Sequence, residues 1–517
     1  MHLSILFLFF LRITSGLDVS IPTAPPIPRA PKISPSFVSF SIEQDRWTDW
    51  VGLTSRNQFF INTLENLQDL TGVPPQIRIG ANSEDHTNFN PSAQTPQLIF
   101  PAPSTTVPYP EATNITVGNS FYASARFLPN NTHVIWGVNL GQDNITAAFL
   151  EAKAIIRAFH APAIKSAGIV LDAIEIGNEA DLYMNNGARP KTYTSAQYVK
   201  EWISFAANIS AANAPGPLYW GAAFAGSSHS TSGFSPQAIF NEGILSSTPG
   251  QSISMISQHH YSGTFCFGNG AVLQDLMTKA YIRSNLTSFS PDIAATRAQG
   301  LPYVLGETNS FSCHGTPGVS NTAGAALWTL DYLLFASQLG VSRIFFHQGI
   351  GFKYNLIQPV TLTRSTLDGS ILPSPQPPHV QPQYYAAIIA AEAIGDGGNT
   401  VVIELNVNDT RVSGYAFYEG TTLARAVFIN SQAFLRTNSG NRASKHIDLD
   451  WASEAQETMR LKRLIIGHAD DVSGLSWGGQ SYETPDGTVN GTVEVEVLDV
   501  SSGFDIQETE VVMITFI

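Results

Sequence analysis

An alternation of short apolar strands with amphipathic helices runs along the chain from residue 37 to residue 397. Strands that alternate with helices pair in parallel through right-handed crossovers. Eight such units close most simply into a (β/α)8 barrel, an α/β fold whose functional groups lie at the C-terminal ends of the strands. The predicted strands are Phe37–Ile42, Pro75–Gly80, His133–Leu140, Leu171–Gly177, Leu218–Ala225, Ser252–His260, Pro302–Glu307 and Ser342–Gly349.

The pattern changes in the last part of the chain, residues 398–517. Segments such as VSGYAFYEG, LARAVFIN and TEVVMITFI alternate apolar and polar residues and are separated by Gly, Asn and Asp turns. This spacing predicts an antiparallel β-sandwich. Residues 17–36 hold one more strand, LDVSIP, and a proline-rich linker, and we expect that strand to pair with the C-terminal domain.

The N-terminus indicates secretion. Residues 1–16 combine an apolar run, Leu3 to Leu11, with small residues at its end, which is typical of a signal peptide. The only two cysteines, Cys266 and Cys313, are an even pair that we expect to form a disulfide in an oxidising compartment. Sequons for N-glycosylation occur at Asn114, Asn130, Asn144, Asn208, Asn285, Asn408 and Asn490.

The charge balance restricts the partners. The formal net charge is −14, and no run of Lys and Arg is long enough to form a basic patch, so we expect no nucleic-acid binding. After the N-terminal segment, no stretch is long and apolar enough to cross a membrane. His259 and His260 are adjacent, but spacing suggests no third ligand, so we predict neither a metal nor another cofactor. We expect a monomer.

Two glutamates stand at strand ends. Glu179 follows the fourth predicted strand in EIGNE, and Glu307 ends the seventh in VLGETNS. On a barrel these positions face each other across the mouth. A retaining glycosidase needs such a pair, one carboxyl as acid/base and one as nucleophile, about 5–5.5 Å apart. Asn178, beside Glu179, is placed to hydrogen-bond the sugar 2-hydroxyl.

These segments, with IRIGANSED at the second strand and VIWGVNLG at the third, resemble glycoside hydrolase family 79, in particular its secreted fungal-type β-glucuronidases. The resemblance covers nearly the whole chain. It implies that Glu179 is the acid/base, that Glu307 is the nucleophile, and that Tyr261 holds the nucleophile. Many relatives have proline where this chain has Ala180, and relatives often show two glycines where this chain reads RIGANS, with Ala81 after a single glycine.

Further residues at the strand ends are candidates for binding the sugar. Glu43, Asn82, Asn309, Gln348 and Tyr354 all lie at or after the ends of predicted strands, although Glu43 could be a structural acid and Asn82 could equally cap its turn. Cys266 and Cys313 fall in the loops after the sixth and seventh strands, which are neighbours in a barrel.

The resulting hypothesis is a retaining exo-β-glucuronidase that releases terminal glucuronic acid, or its 4-O-methyl ether, from a glycan or glycoside. A heparanase-like endo-β-glucuronidase is the first alternative, although its anionic substrate would require a basic groove. A clan glycosidase acting on neutral sugars and a catalytically silent glycan-binding protein are the others.

Overall fold

The barrel is visible in the computed structural model, which describes residues 16–26, 31–213, 216–451 and 457–517. The predicted signal peptide, apart from Gly16, lies outside the described residues, as do residues 27–30 of the linker. The first sixteen strands are β1 Leu17–Ile21, β2 Val38–Glu43, β3 Ile77–Gly80, β4 Thr87–Phe89, β5 Gln97–Ile99, β6 Asn114–Val117, β7 His133–Val138, β8 Val170–Ile176, β9 Tyr219–Phe224, β10 Ile253–Thr264, β11 Tyr303–Ser312, β12 Arg343–Gln348, β13 Ile357–Gln358, β14 Leu362–Arg364, β15 Ile371–Gln376 and β16 His379–Val380.

The remaining strands belong to the C-terminal region. They are β17 Thr400–Glu404, β18 Val412–Glu419, β19 Thr422–Asn430, β20 Ser444–Trp451, β21 Thr458–Ile465, β22 Ser476–Trp477, β23 Glu496–Asp499, β24 Phe504–Gln507 and β25 Glu510–Phe516. The helices are α1 Trp47–Val51, α2 Gln58–Thr71, α3 Asn119–Ala123, α4 Ile145–Phe159, α5 Pro162–Ser166, α6 Tyr183–Asn186, α7 Ser195–Ala212, α8 Pro236–Asn241, α9 Leu273–Met277, α10 Lys279–Thr287, α11 Ser290–Ala298, α12 Ala323–Leu339 and α13 Gln383–Ile394. None of these helices is long and apolar enough to cross a membrane.

The predicted fold class is confirmed. Strands β2, β3 and β7 to β12 form a closed barrel in that order, and every neighbouring pair is parallel. Each of the eight predicted strands overlaps one of them. Strands β10 and β11 continue beyond their predicted ends, so the backbone stays extended past Tyr261 and Glu307.

Two layers of side chains fill the barrel. A small apolar cluster lies toward the N-terminal ends of the strands. In it the Trp220 and Phe345 rings pack edge to face, with their centroids 5.1 Å apart. Nearer the C-terminal ends the side chains are polar and charged, with Ser41, Arg78 and Glu175 all buried. Because charged groups are rarely buried unless they are paired, this upper layer must be held together by its own contacts.

The C-terminal strands form an antiparallel seven-stranded sheet, and a three-stranded sheet joins β1, β20 and β24. Strand β1 pairs in parallel with β20, and its Val19 and Ile21 are buried in the core between these sheets. The N-terminal strand thus lies in the C-terminal sheets.

Helices α12 and α13 join the barrel to these sheets. Both helices are buried on nearly all sides, as expected for helices enclosed between two layers. Asp331 of α12 accepts hydrogen bonds from Tyr415 of β18 at 2.6 Å and from Arg283 of α10, while Arg283 also donates to Glu404 of β17. These buried polar contacts fix the C-terminal sheets against the barrel.

The predicted glycosylation sites are at the surface. Six of the sequon asparagines are exposed, and Asn285 is half-buried, donating to the Tyr281 carbonyl at 2.9 Å. The exposed ones are Asn114, Asn130, Asn144, Asn208, Asn408 and Asn490. Their modification stays a prediction.

Candidate active site

The two predicted catalytic carboxylates converge at the mouth of the barrel. Glu179 lies in the loop after β8, and Glu307 lies in β11. One oxygen of each carboxylate and a ring nitrogen of His259 all lie within 4.8 Å of one another. This proximity agrees with the short separation, about 5–5.5 Å between carboxyl groups, that lets a second carboxylate act as nucleophile.

The backbone holds Glu179 in an unusual conformation. Its φ of 51° and ψ of 49° are left-handed, which is uncommon for a residue with a side chain, and its N–H donates to the Ala223 carbonyl at 2.8 Å. Two residues earlier, a Cβ on Gly177 would lie 2.5 Å from Leu140 and 2.6 Å from the Tyr183 hydroxyl. The strand can therefore turn toward the barrel axis only with glycine at this position.

Arg78 connects the groups below the carboxylates. It is fully buried and donates to Glu307 Oε2 at 2.8 Å, to Glu175 Oε1 at 2.8 Å and to Ser41 Oγ at 2.9 Å. It also donates to Asn178 Oδ1 at 2.8 Å. A guanidinium suits this role because its rigid fork serves several acceptors at once. The Asn178 side chain is thereby fixed beside the acid/base candidate.

The pKa values of the two carboxylates are shifted in opposite directions. Burial and the adjacent charge of Glu307 raise the pKa of Glu179 to about 8. Desolvation alone would raise the pKa of Glu307, but the positive charges of His347, His259 and Arg78 outweigh it and lower that pKa below its ordinary range. Burial lowers the pKa of His259 to about 4, so at higher pH the charge comes from Arg78 and His347. Paired groups whose pKa values diverge in this way are suited to acid and base roles.

His259 and Tyr261 hold the two carboxylates from β10. His259 Nδ1 lies 2.9 Å from Glu179 Oε1, and the Tyr261 hydroxyl donates to Glu307 Oε1 at 2.7 Å. Tyr354 lies beside Tyr261 with the ring centroids 6.0 Å apart, and burial together with Glu307 raises the pKa of the Tyr354 phenol well above its ordinary value. Burial and Glu307 also raise the pKa of the Tyr261 phenol well above its ordinary value, so both phenols stay protonated and can donate hydrogen bonds.

Glu43 and His347 form a second charged pair at the ends of β2 and β12. His347 Nε2 lies 3.4 Å from Glu43 Oε1, and its Nδ1 lies 3.9 Å from Glu307 Oε2. Burial lowers the pKa of His347, but the charges of Glu307 and Glu43 outweigh burial and raise it. Glu43 also accepts from the Ser83 backbone N–H at 3.1 Å, so its position is fixed.

Three further sugar-binding candidates differ in how free their side chains are. Asn309 donates to the carbonyls of His347 and Tyr354, at 3.1 and 3.2 Å, and is buried. Gln348 accepts from the N–H groups of Leu356 and Ile357, at 2.9 and 3.2 Å, and is also buried. These contacts favour a positioning role for both.

Asn82, in contrast, is exposed at the rim of a cavity that also contains Asn178 and Glu179. Its side chain makes no hydrogen bond to any described residue. Of these three candidates, Asn82 therefore has the side chain that is free to meet a ligand.

The predicted disulfide between Cys266 and Cys313 is present, with a Cα–Cα distance of 5.0 Å. It joins the segments that follow β10 and β11. Cys266 also lines the cavity beside Glu179. The bridge thus fixes a wall of the candidate site.

Glu179, His259 and Glu307 are also a possible set of metal ligands, because each offers one atom within 4.8 Å of the others. A metal ion would have to compete with Arg78 and Tyr261, which already bond to the Glu307 carboxylate. Both oxygens of the Glu307 carboxylate therefore already accept hydrogen bonds.

Sequence reasoning did not identify Arg78, Glu175 and His347 as parts of the site. Each is a polar or charged residue within an otherwise apolar barrel strand, in IRIG, LDAIEIG and RIFFHQ. Because a buried charge is costly unless it is paired, such residues in predicted barrel strands are the signal that could have found them.

Comparisons with known proteins find glycoside hydrolases. The sequence model of the glycosyl hydrolase family 79 C-terminal beta domain matches residues 414–513. A β-glucuronidase of Aspergillus niger is 28% identical over 497 residues, covering 90% of this chain and 86% of that protein. A β-glucuronidase of Neurospora crassa is 28% identical over 529 residues, covering 91% and 88%.

A solved structure shares the whole architecture. The crystal structure of a 4-O-α-L-rhamnosyl-β-D-glucuronidase from Fusarium oxysporum aligns with a TM-score of 0.78 and 24% identity, covering 96% of this chain and 100% of that one. The similarity therefore extends over both the barrel and the C-terminal sheets, and the family resemblance seen in the sequence is confirmed. The chain is a glycoside hydrolase that is similar to β-glucuronidases over about nine-tenths of its length, and its residues 414–513 match the family 79 C-terminal beta domain.

Proposed function

We propose that the chain is a secreted, retaining exo-β-glucuronidase that removes terminal glucuronic acid, or its 4-O-methyl ether, by double displacement. One observation carries the chemistry: two carboxylates with oxygens within 4.8 Å, one with a raised and the other with a lowered pKa. The substrate class is supported by the two relatives named β-glucuronidase, which match about nine-tenths of the chain.

In the first step the Glu307 carboxylate attacks the anomeric carbon, and the bond from that carbon to the leaving oxygen breaks. The protonated Glu179 carboxyl transfers its proton to that oxygen, so the aglycone leaves as a neutral alcohol. Below about pH 8 Glu179 holds this proton, while the lowered pKa of Glu307 keeps the nucleophile ionised.

In the second step Glu179, now a carboxylate, takes a proton from a water molecule as the oxygen attacks the anomeric carbon. The ester bond to Glu307 breaks and the glucuronic acid leaves with its β configuration. Arg78 and Tyr261, which bond to opposite oxygens of Glu307, stabilise the carboxylate as it is released.

The uronate carboxylate requires donors near the nucleophile. We assign this role to Tyr354, which is buried beside Tyr261 and keeps its phenolic proton. Lys353, the residue before it, is also buried and lies 5.2 Å from the Phe265 ring centroid. Burial lowers the pKa of Lys353 to about 8, so its ammonium stays charged at acidic pH.

Exo action and secretion are the remaining parts of the proposal. With a net charge of −14, the chain is poorly suited to bind a long polyanionic glycan, which favours removal of a single terminal uronic acid. The signal-like N-terminus, the surface sequons and the disulfide all suit an extracellular protein.

The experiment is hydrolysis of p-nitrophenyl β-D-glucuronide, compared with the β-glucoside and the β-galactoside at about pH 5. We expect turnover of the glucuronide alone, and its loss in Glu307→Ala. Glu457→Gln, which alters an exposed glutamate next to β21, is the control that should keep full activity.

Turnover of a neutral glycoside instead would retain the carboxylate pair and refute the uronate assignment. Glucuronide binding with no turnover under any condition would favour the glycan-binding alternative.

A further inference from the structure

A further buried glutamate, Glu84, lies against Arg78 and takes no part in the proposed mechanism. It belongs to a short helical turn, Asn82–His86, that follows β3, and its side chain is fully buried. Its Oε2 lies 3.9 Å from a guanidinium nitrogen of Arg78. No described residue donates a hydrogen bond to either oxygen of this carboxyl group. Because a buried charge without donors is very costly, the observed surroundings favour the neutral acid.

The barrel wall makes room for the Glu84 carboxyl group. A Cβ on Gly80 or on Gly137 would overlap this group, so the neighbouring strands β3 and β7 both have glycine where it lies. Gly137 pairs with Glu175 in the register between β7 and β8. The Glu84 carboxyl group therefore lies beside the strand position that carries Glu175.

Glu175 has one oxygen engaged and one oxygen without a donor. Its Oε1 accepts a hydrogen bond from the Arg78 side chain at 2.8 Å, whereas no described residue donates to its Oε2. A protonated carboxyl group is a donor, so a proton shared between Glu84 and Glu175 would satisfy one orphan oxygen of each. Adjacent buried carboxyl groups commonly hold one proton between them, because both cannot ionise.

The charged groups that face Glu84 also favour its neutral form. Burial and the charge of Glu175 raise the pKa of Glu84 well above its ordinary value, Arg78 lowers it by less, and Asp85 and Glu151 raise it further. Asp85 and Glu151 have donors of their own, since Asp85 accepts from three backbone N–H groups and Glu151 accepts from one. Glu84 is thus the acid in this group whose charge would be least compensated.

The proton on Glu84 decides how many negative charges Arg78 must serve. Arg78 donates to Glu307 Oε2 and to Glu175 Oε1, each at 2.8 Å. With Glu84 neutral, the guanidinium faces two carboxylates. With Glu84 ionised it would face three, and the third would compete with the nucleophile for its charge.

We propose that Glu84 is a neutral carboxylic acid that shares its proton with Glu175, and that it acts as a positioning residue by keeping the Arg78 guanidinium directed at the nucleophile Glu307. The inference rests on the proposed glucuronidase function and adds to it a residue that does not touch the substrate. Glu84 supports Glu175, Glu175 orients Arg78, and Arg78 holds Glu307.

Infrared difference spectroscopy of the wild type and Glu84→Gln, at about pH 7 and without substrate, tests the proton. A protonated carboxyl group has a carbonyl stretch that a carboxylate lacks. We expect the wild type to show the band of one carboxylic acid that Glu84→Gln loses. Loss of a carboxylate band instead would overturn the inference. This measurement needs no turnover, so it separates the state of Glu84 from the proposed function.

The positioning role is tested by the pH profile of p-nitrophenyl β-D-glucuronide hydrolysis. Glu84→Gln keeps a neutral side chain that can donate to Glu175, so kcat and the acidic limb should be nearly unchanged. Glu84→Leu cannot donate, so Glu175 draws more strongly on Arg78. In that variant kcat should fall at least about tenfold with KM nearly unchanged, as for loss of a hydrogen bond to a charged group. Its acidic limb should also move to higher pH.

Glu151→Gln is the matched control, because Glu151 is also fully buried but bonds to the Tyr122 hydroxyl and the Asn139 N–H. It should leave the acidic limb in place. A profile that is unchanged in Glu84→Leu, or that changes equally in Glu84→Leu and Glu84→Gln, would overturn the positioning role.

Two outcomes remain decisive if a variant or the activity fails. If Glu84→Leu does not fold, the Glu84→Gln profile decides: an acidic limb that moves to lower pH would show that a negative charge had been removed, and would overturn the inference. An unmoved limb together with the lost acid band would support it. If the wild type hydrolyses no glucuronide, the proposed function fails, whereas the infrared band still reports whether Glu84 is protonated.

Discussion

The buried Arg78, which lies below the two proposed catalytic carboxylates, gives the sharpest prediction. In Arg78→Met the Glu307 carboxylate loses a charged donor at 2.8 Å and keeps the Tyr261 hydroxyl at 2.7 Å. An adjacent Arg lowers a carboxyl pKa by about 1–3 units. The pKa of Glu307 should therefore rise by about that amount. Since the nucleophile must be ionised, the acidic limb of kcat/KM should move to higher pH by the same interval.

Stability should fall as well. Glu307 and Glu175 both lose their guanidinium partner in Arg78→Met, and removal of one member of a buried ion pair typically costs about 3–5 kcal/mol. The assay is a pH profile of p-nitrophenyl β-D-glucuronide hydrolysis, with thermal unfolding measured alongside. Arg78→Lys, which keeps the charge but not the fork, should show a smaller shift.

Arg283→Met is the control for loss of a partly buried arginine that pairs with two carboxylates. Arg283 pairs with Asp331 and Glu404 between the barrel and the C-terminal sheets, so its removal should lower stability without moving the acidic limb. If Arg78→Met alone does not fold, the double variant with Glu175→Gln removes the second unpaired carboxylate. An acidic limb that stays in place in either folded variant would refute the electrostatic role of Arg78.

Three other predictions follow from the same contacts. First, kcat/KM of the wild type should fall as pH rises through about 8, where Glu179 loses the proton it must donate. Glu179→Ala should slow turnover and regain activity with added azide. A wild-type profile that stays flat to pH 10 would contradict the acid/base assignment. Second, Tyr261→Phe removes the other donor to Glu307 and should lower kcat about 10- to 100-fold, with KM nearly unchanged; an unaltered kcat would exclude that role. Third, the double variant Cys266→Ser with Cys313→Ser opens a loop with a sequence separation of 47 and should lower the free energy of unfolding by about 4 kcal/mol, because the disulfide restricts the unfolded chain. Denaturant titration measures this loss, and unchanged stability would contradict the entropic origin of the effect.

The sequence predicted the barrel well because its strands are bounded by strong local signals. Each predicted barrel strand overlaps an observed one, since a fully buried parallel strand is a continuous apolar run that ends at turn residues. Strand β20, Ser444–Trp451, was missed because SKHIDLDW is largely polar and charged. It is specified by pairing with β1 and β24, which lie far away in sequence.

The candidate site was predicted only in part for a similar reason. Glu179 and Glu307 could be located because their positions at strand ends are a local property of the sequence. The partners of Arg78 come from three other barrel strands, β2, β8 and β11, or the loop after β8, so its role depends on closure of the barrel. Asn309 and Gln348 looked equally free in the sequence, but their amides bond to backbone groups of the folded loop after β12.

The most direct test of the account is to identify the residue that carries the glycosyl-enzyme. The protein would be treated with 2-deoxy-2-fluoro-β-D-glucuronyl fluoride, which slows the second step, and then digested and analysed by mass spectrometry. The account predicts one covalent glucuronyl group, attached to Glu307, whose carboxylate has an oxygen within 4.8 Å of Glu179. A label on another residue would contradict the account. So would an active enzyme that is never labelled and that releases the α-anomer first from β-glucuronides.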